Sequence, residues 1–142
     1  QPTRSVTTPS APTAVSANIE ILDPKSLESI IGRREVWWRY SGQLAPNQGF
    51  ELLLWYPPDD KRGGIADVRD IKRDLVDHGN NLYSVSVNFS GAAIVHQFCD
   101  ASYWLIIKVV QVDPYDPTPI GSESKGVNVQ VRPFPGSVPT CN

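Results

Sequence analysis

The chain has 142 residues, enough for one domain with its own core and too few for two ordinary ones. Its 13 basic and 15 acidic residues nearly balance, and no basic run or stripe is present to neutralise phosphates, which argues against nucleic acid as a partner. The longest apolar stretches, such as residues 52–56, fall far short of the roughly 20 residues that cross a bilayer, so no direct membrane insertion of this segment is expected.

Residues 1–17, QPTRSVTTPSAPTAVSA, are rich in Pro, Ser, Thr and Ala without an apolar period. They read as a solvated linker of the kind that tethers an extracellular module to an anchor or another domain. The chain opens on Gln1 and contains no methionine, as a processed or excised fragment would. From residue 18 to residue 132 the apolar period is mostly two, which predicts a β-sandwich domain; residues 133–142, broken by Pro133, Pro135 and Pro139, read as a loose C-terminal tail.

In chain order, residues 18–22 alternate and stop at Asp23-Pro24, as an edge strand does. Val36, Trp38 and Tyr40 share one strand face, and Phe50, Leu52 and Leu54 share another that ends at the Pro57-Pro58-Asp59-Asp60 turn. Tyr83, Val85, Val87 and Phe89 alternate with Ser84, Ser86 and Asn88, the pattern of a half-buried strand. Tyr103, Leu105, Ile107 and Val109 have apolar residues between them, which places their strand centrally with both faces covered. Val127, Val129 and Val131 close the series. A seventh strand is expected at 65–71 or 93–98, and a short helix within 67–78 is consistent with the spacing of Ile71, Leu75 and His78. The expected architecture is all-β, a sandwich of about seven antiparallel strands.

The order of these stretches resembles fibronectin type III-like and immunoglobulin-like modules of bacterial secreted and cell-surface proteins. IEILDP is similar to the first strand with its Pro turn, and VWWRYSGQLAPNQGFELLLW to the second and third, with Trp38 at the family's core tryptophan and Leu44 in the connecting loop. YWLIIKVV resembles the penultimate strand, and GSESKGVNVQV the approach to the last through Ser122 and Ser124. Residues 61–81 are longer and more charged than a plain module needs, and Trp104 is one place out of phase with the core residues. The resemblance implies an extracellular or cell-surface spacer, adhesion or binding role and no catalytic residue.

Chemistry-bearing side chains are few. His78 and His96 stand in no metal-ligand spacing, and His96 with Cys99 is half a zinc site, so the residues favour a loop histidine and a structural cysteine. No G-x-S-x-G or phosphate-binding loop occurs, a Cys99–His nucleophile pair is unspecified by anything around it, and no catalytic residue, metal or cofactor is assigned. Carboxylates cluster at Asp59, Asp60, Asp67, Asp70 and Asp74 and at Asp113 and Asp116, but neighbouring Lys and Arg and the turn propensity of Asp favour a structural use over calcium. Asn88-Phe89-Ser90 is an N-x-S sequon, meaningful only in a eukaryotic secretory pathway. Cys99 and Cys141 are either one bridge or two thiols, and both remain open.

Three of the four tryptophans lie within 37–55. Trp38, Tyr40, Phe50, Leu52, Tyr83, Val85, Tyr103 and Ile107 are assigned to the core. Opposite them, with Trp37 also outward, Leu53, Trp55, Trp104, Ile106 and Val110 would form one apolar outer patch if their strands are neighbours. The patch is either a binding face for a glycan or another protein domain, or it is covered by residues 61–81, whose Ile65, Val68, Ile71 and Leu75 need burial; covering is the favoured outcome. The function read here is non-catalytic: spacer, adhesion or partner binding. The alternatives are a carbohydrate-binding accessory domain and the extracellular sensor of a bacterial signalling receptor.

Overall fold

A computed structural model of the chain describes residues 18–141; the expected linker at 1–17 lies outside them. Among the described residues, ten strand segments fall into two sheets. They are β1 (Ile19–Asp23), β2 (Glu28–Ile31), β3 (Arg33–Tyr40), β4 (Gln48–Tyr56), β5 (Lys61–Gly64), β6 (Val76–Asp77), β7 (Leu82–Asn88), β8 (Ala101–Val112), β9 (Tyr115–Asp116) and β10 (Val127–Arg132). The four-stranded sheet has the order β1-β3-β7-β6, and the six-stranded one the order β2-β10-β8-β4-β5 with β9 on β8. The protein is thus mostly β, in two packed sheets. Among the described residues all pairings are antiparallel except one: β2 runs parallel to β10, with Ile30 opposite Val131, so the expectation of a wholly antiparallel fold is corrected. This four-residue strand is bracketed by the left-handed backbone of Leu27 and Gly32, which lets the chain leave one sheet, touch the other and return.

The alternation predicted from sequence is what fills the space between the sheets. Val36, Trp38 and Tyr40 of β3 meet Phe50, Leu52 and Leu54 of β4 and Tyr103, Leu105 and Ile107 of β8, all buried. Trp38 is fully buried, with Phe50 edge-on at 5.0 Å and Tyr83 stacked at 6.2 Å. Tyr83 is only half-buried, at the rim of this cluster, while Val85 is inside. The β8 strand is buried on both faces, as its continuous apolar run requires.

Two expectations for a seventh strand give way to helices. Residues 68–74 form α1 (Val68–Asp74), started by Asp67, whose Oδ1 accepts a hydrogen bond from the Arg69 N–H at 2.8 Å. Residues 93–98 form α2 (Ala93–Phe98), with Ile94 and Val95 buried; Gly63 of β5 leaves room for Ile94, which a Cβ there would approach to 3.1 Å. Helix α1 seals the flank where β4 has no strand partner. Ile71 enters the main core, and the Lys72 ammonium donates to the carbonyls of Pro46, at 2.9 Å, and Gln48.

The tail is held rather than loose: Cys141 is disulfide-bonded to Cys99, and Pro133 is buried. Arg34 knots strands β1, β2 and β3 together, with its guanidinium on both Glu28 oxygens at 2.6 and 2.9 Å and on Asp23 at 2.9 Å. That pairing holds the Glu28 carboxyl below its ordinary pKa.

Candidate functional site

The outer face of the six-stranded sheet is built from the residues that point away from the core on β4, β8 and β10. Register places Glu51 opposite Lys108, Leu53 opposite Ile106, Trp55 opposite Trp104 and, one strand further, Trp104 opposite Asn128 and Ser102 opposite Gln130. The predicted neighbours Leu53, Trp55, Trp104 and Ile106 therefore do meet. They do not form an open apolar patch.

Leu53, Ile106 and Val110 are 4%, 5% and 0% exposed, which corrects their assignment to a binding face. Val110 is covered by Val68 of α1, which packs with Val110 and Val112. A Cβ on Gly49 would lie 2.8 Å from Val112, so glycine is what makes room for the Val112 side chain in that cluster. Leu53 and Ile106 lie between two fences. On one side the Lys108 ammonium, itself nearly buried, pairs with Glu51 at 3.6 Å and donates to the Pro117 carbonyl at 2.7 Å, while the Tyr115 hydroxyl donates to Glu51 at 2.9 Å. Burial and the Glu51 carboxylate push the Tyr115 phenol up to about 12. On the other side, Arg62 lies 5.7 Å above the Trp55 ring and bridges to Glu123 at 2.9 Å. Trp55 is further tied by its indole N–H, which donates to Asp60 at 3.0 Å. One ring face of Trp55 is thus occupied by Arg62.

Beyond these fences the face opens. Trp104 is 37% exposed and rests against Gly126, where a Cβ would come within 3.0 Å of the ring. From Trp104 the surface continues through Ser102, Asn128, Gln130, Asp100 and Arg132. The Asp100 carboxylate accepts from Gln130 Nε2 at 2.8 Å and from Arg132 at 2.7 Å, and these bonds hold its pKa below the usual range. Two hollows share Asp100 and Gln130: one of about 480 Å³ walled by Tyr56, Pro57, Pro58 and Trp104, and one of about 360 Å³ reaching Ile31 of β2. A third, of about 630 Å³, extends past Arg132 between Asp100 and the disulfide-held tail.

Sequence reasoning found Trp104 but not its polar neighbours. Inward Val127, Val129 and Val131 already implied that Asn128, Gln130 and Arg132 face outward; their placement beside Trp104 required the β8–β10 register.

The remaining candidates are drawn into local structure. Cys99 is disulfide-bonded and holds no free thiol. His96 Nε2 lies 2.8 Å from the Ser90 carbonyl, and His78 stacks on Trp37 at 4.4 Å with Nε2 2.8 Å from Ser84 Oγ. Ser84, expected outside, is accordingly buried beneath that pair. Asp60 serves Trp55, Asp67 caps α1, Asp70 and Asp74 pair with Arg73, and Asp116 accepts from the Thr118 N–H at 2.9 Å. Asn88 accepts from the Gly91 N–H at 3.2 Å. No group of three His, Cys, Asp or Glu side chains that would hold a metal occurs among the described residues.

No family model matches the chain, and no curated protein matches it. Among solved structures it is similar to the X-ray structure of an endo-beta-1,4-mannanase from Thermotoga petrophila, at 8% identity and a TM-score of 0.45 over 82% of this chain. The chain spans only 20% of that protein's length, and a likeness at this level carries no inference about function.

Proposed function

We propose that the chain is a non-catalytic extracellular module with a fibronectin type III-like or immunoglobulin-like sandwich, and that it binds a ligand or partner through the open half of its larger sheet. Two features support the fold reading. The strand orders β1-β3-β7-β6 and β10-β8-β4-β5 follow the two-sheet order of immunoglobulin-type sandwiches. Tyr103, near the start of β8, donates its hydroxyl to the Cys99 carbonyl at 3.0 Å, the bond made by the corner tyrosine of such domains. The disulfide suits an oxidising compartment.

The observation that carries the binding reading is the continuity of Trp104 with a row of cross-bonded polar side chains over adjoining hollows. An exposed aromatic beside convergent polar groups is the usual make-up of a ligand surface. Amide chemical-shift mapping of the 142-residue chain against polysaccharide and peptide panels tests it. Shifts at 100–104 and 128–132 are expected with at least one probe. Shifts confined to the loops at 41–47 and 78–81, or none with any probe, would leave a spacer in its place.

A further inference from the structure

Charge, geometry and hydrogen-bond capacity on this face narrow the ligand. We propose that the open half of the outer sheet face takes a neutral oligosaccharide, with Trp104 stacking on a pyranose ring and Gln130, Arg132 and Asp100 hydrogen-bonding its hydroxyls; the inference rests on the binding reading above.

The two formal charges in the row, Asp100 and Arg132, lie 2.7 Å apart and cancel. An anionic ligand would meet Asp100 and a cationic one Arg132, so neither is favoured, whereas a neutral polyol uses both. The pair and Gln130 are fixed by one another, which lowers the ordering cost on binding. Their unused capacity is of mixed sign: Gln130 keeps its amide oxygen, Arg132 keeps most of its N–H donors, and Ser102 keeps acceptor lone pairs. Vicinal hydroxyls, each both donor and acceptor, match such a set.

An extended peptide is a poorer fit. It would be captured by the free N–H and C=O groups of a sheet edge, but this surface is the middle of a sheet whose backbone bonds are already made between β8 and β10. A hydrophobic protein partner would need the apolar area that Leu53, Ile106 and Val110 have withdrawn. Along β10, the alternate residues from Asn128 to Arg132 span about 13 Å at the usual strand rise, room for a short oligosaccharide. The proline wall of Pro57 and Pro58 beside Trp104 supplies a second apolar contact at that end.

The test is affinity electrophoresis of the full chain through gels containing neutral polysaccharides (hydroxyethylcellulose, dextran, xylan) or anionic ones (polygalacturonate, heparan sulfate). At least one neutral polymer is expected to retard the protein, with little change between low and high salt. Trp104→Ala and Gln130→Ala should each weaken that retardation about tenfold, the loss of roughly 1.4 kcal/mol. Gly126→Ala, which pushes on the ring from beneath, should weaken it with the fold intact, and Trp37→Phe on the other sheet should leave it unchanged. Circular dichroism of each variant separates lost binding from lost folding. Retardation only by anionic polymers, fading with salt, overturns the proposal, as does neutral retardation that survives both Trp104→Ala and Gln130→Ala in folded protein. Peptide-induced amide shifts at 100–104 and 128–132 with no neutral polymer retained would overturn the sugar assignment and leave the binding reading standing.

Discussion

At the scale of single residues, the chain's tryptophans divide by what their indole rings touch. Trp38 is fully buried among Phe50, Tyr40 and Tyr83, and its indole N–H has no hydrogen-bond partner among the described residues. A buried donor left unpaired costs about 1–3 kcal/mol, which the aromatic packing more than offsets. Trp38→Ala should therefore destabilise the fold by about 3–5 kcal/mol, and Trp38→Phe by clearly less, because it removes the unpaired donor along with part of the ring. Denaturant melts of the two variants check this, and equal losses would contradict it. Tyr103 and Tyr115 make a pH prediction. Burial leads in raising both phenols to about 12, above the ordinary value of 10.0. In the unfolded chain these groups ionise first, so their contribution to stability is whole below pH 10 and is lost as pH rises towards 12. Difference absorbance titration of the parent against Tyr103→Phe should show the ionisation of Tyr103 arriving together with alkaline unfolding, not before it.

At the scale of elements, the strands were legible because their inward residues keep a period of two, and Val36-Trp38-Tyr40 and Phe50-Leu52-Leu54 needed nothing else. The helices were harder. Residues 93–98 carry a short apolar run that fits either state, and what decides is the tight corner between β7 and β8 with Gly63 opposite Ile94. Strand β2 left no periodic signal, since four residues paired in parallel with the end of the chain depend on a contact about a hundred residues away. Helix α1 is where local and long-range signals agree: Asp67 caps it, and Val68 and Ile71 face two different clusters. Asp67→Ala should cost about 1 kcal/mol. Amide exchange should show that cost first in residues 68–74, because α1 is short and held by few side chains; an unchanged exchange rate there would mean that packing alone forms the helix.

At the scale of the molecule, one sheet face is split between structure and access. Helix α1, the Glu51–Lys108 pair and the Arg62–Glu123 bridge close over Leu53, Ile106 and Val110, while Trp104 and its polar row stay open. The sequence could place five residues on that face but not partition them, because the covering groups come from helix α1, from neighbouring strands and from the Glu123 loop, and their meeting is set only in three dimensions. The disulfide acts at this scale too. It closes a span of 42 residues between the end of α2 and the tail, worth about 4 kcal/mol in the chain-entropy account. Cys99→Ser with Cys141→Ser should lower the unfolding free energy by that order, and a loss near zero would mean that the tail contributes nothing to the fold.

The partition of the face is most directly tested by iodide quenching of tryptophan fluorescence in wild type, Trp104→Phe and Trp55→Phe. The most strongly quenched component should be present in wild type, absent in Trp104→Phe and retained in Trp55→Phe. If it survives loss of Trp104 and vanishes with Trp55, the open and closed halves have been assigned the wrong way round.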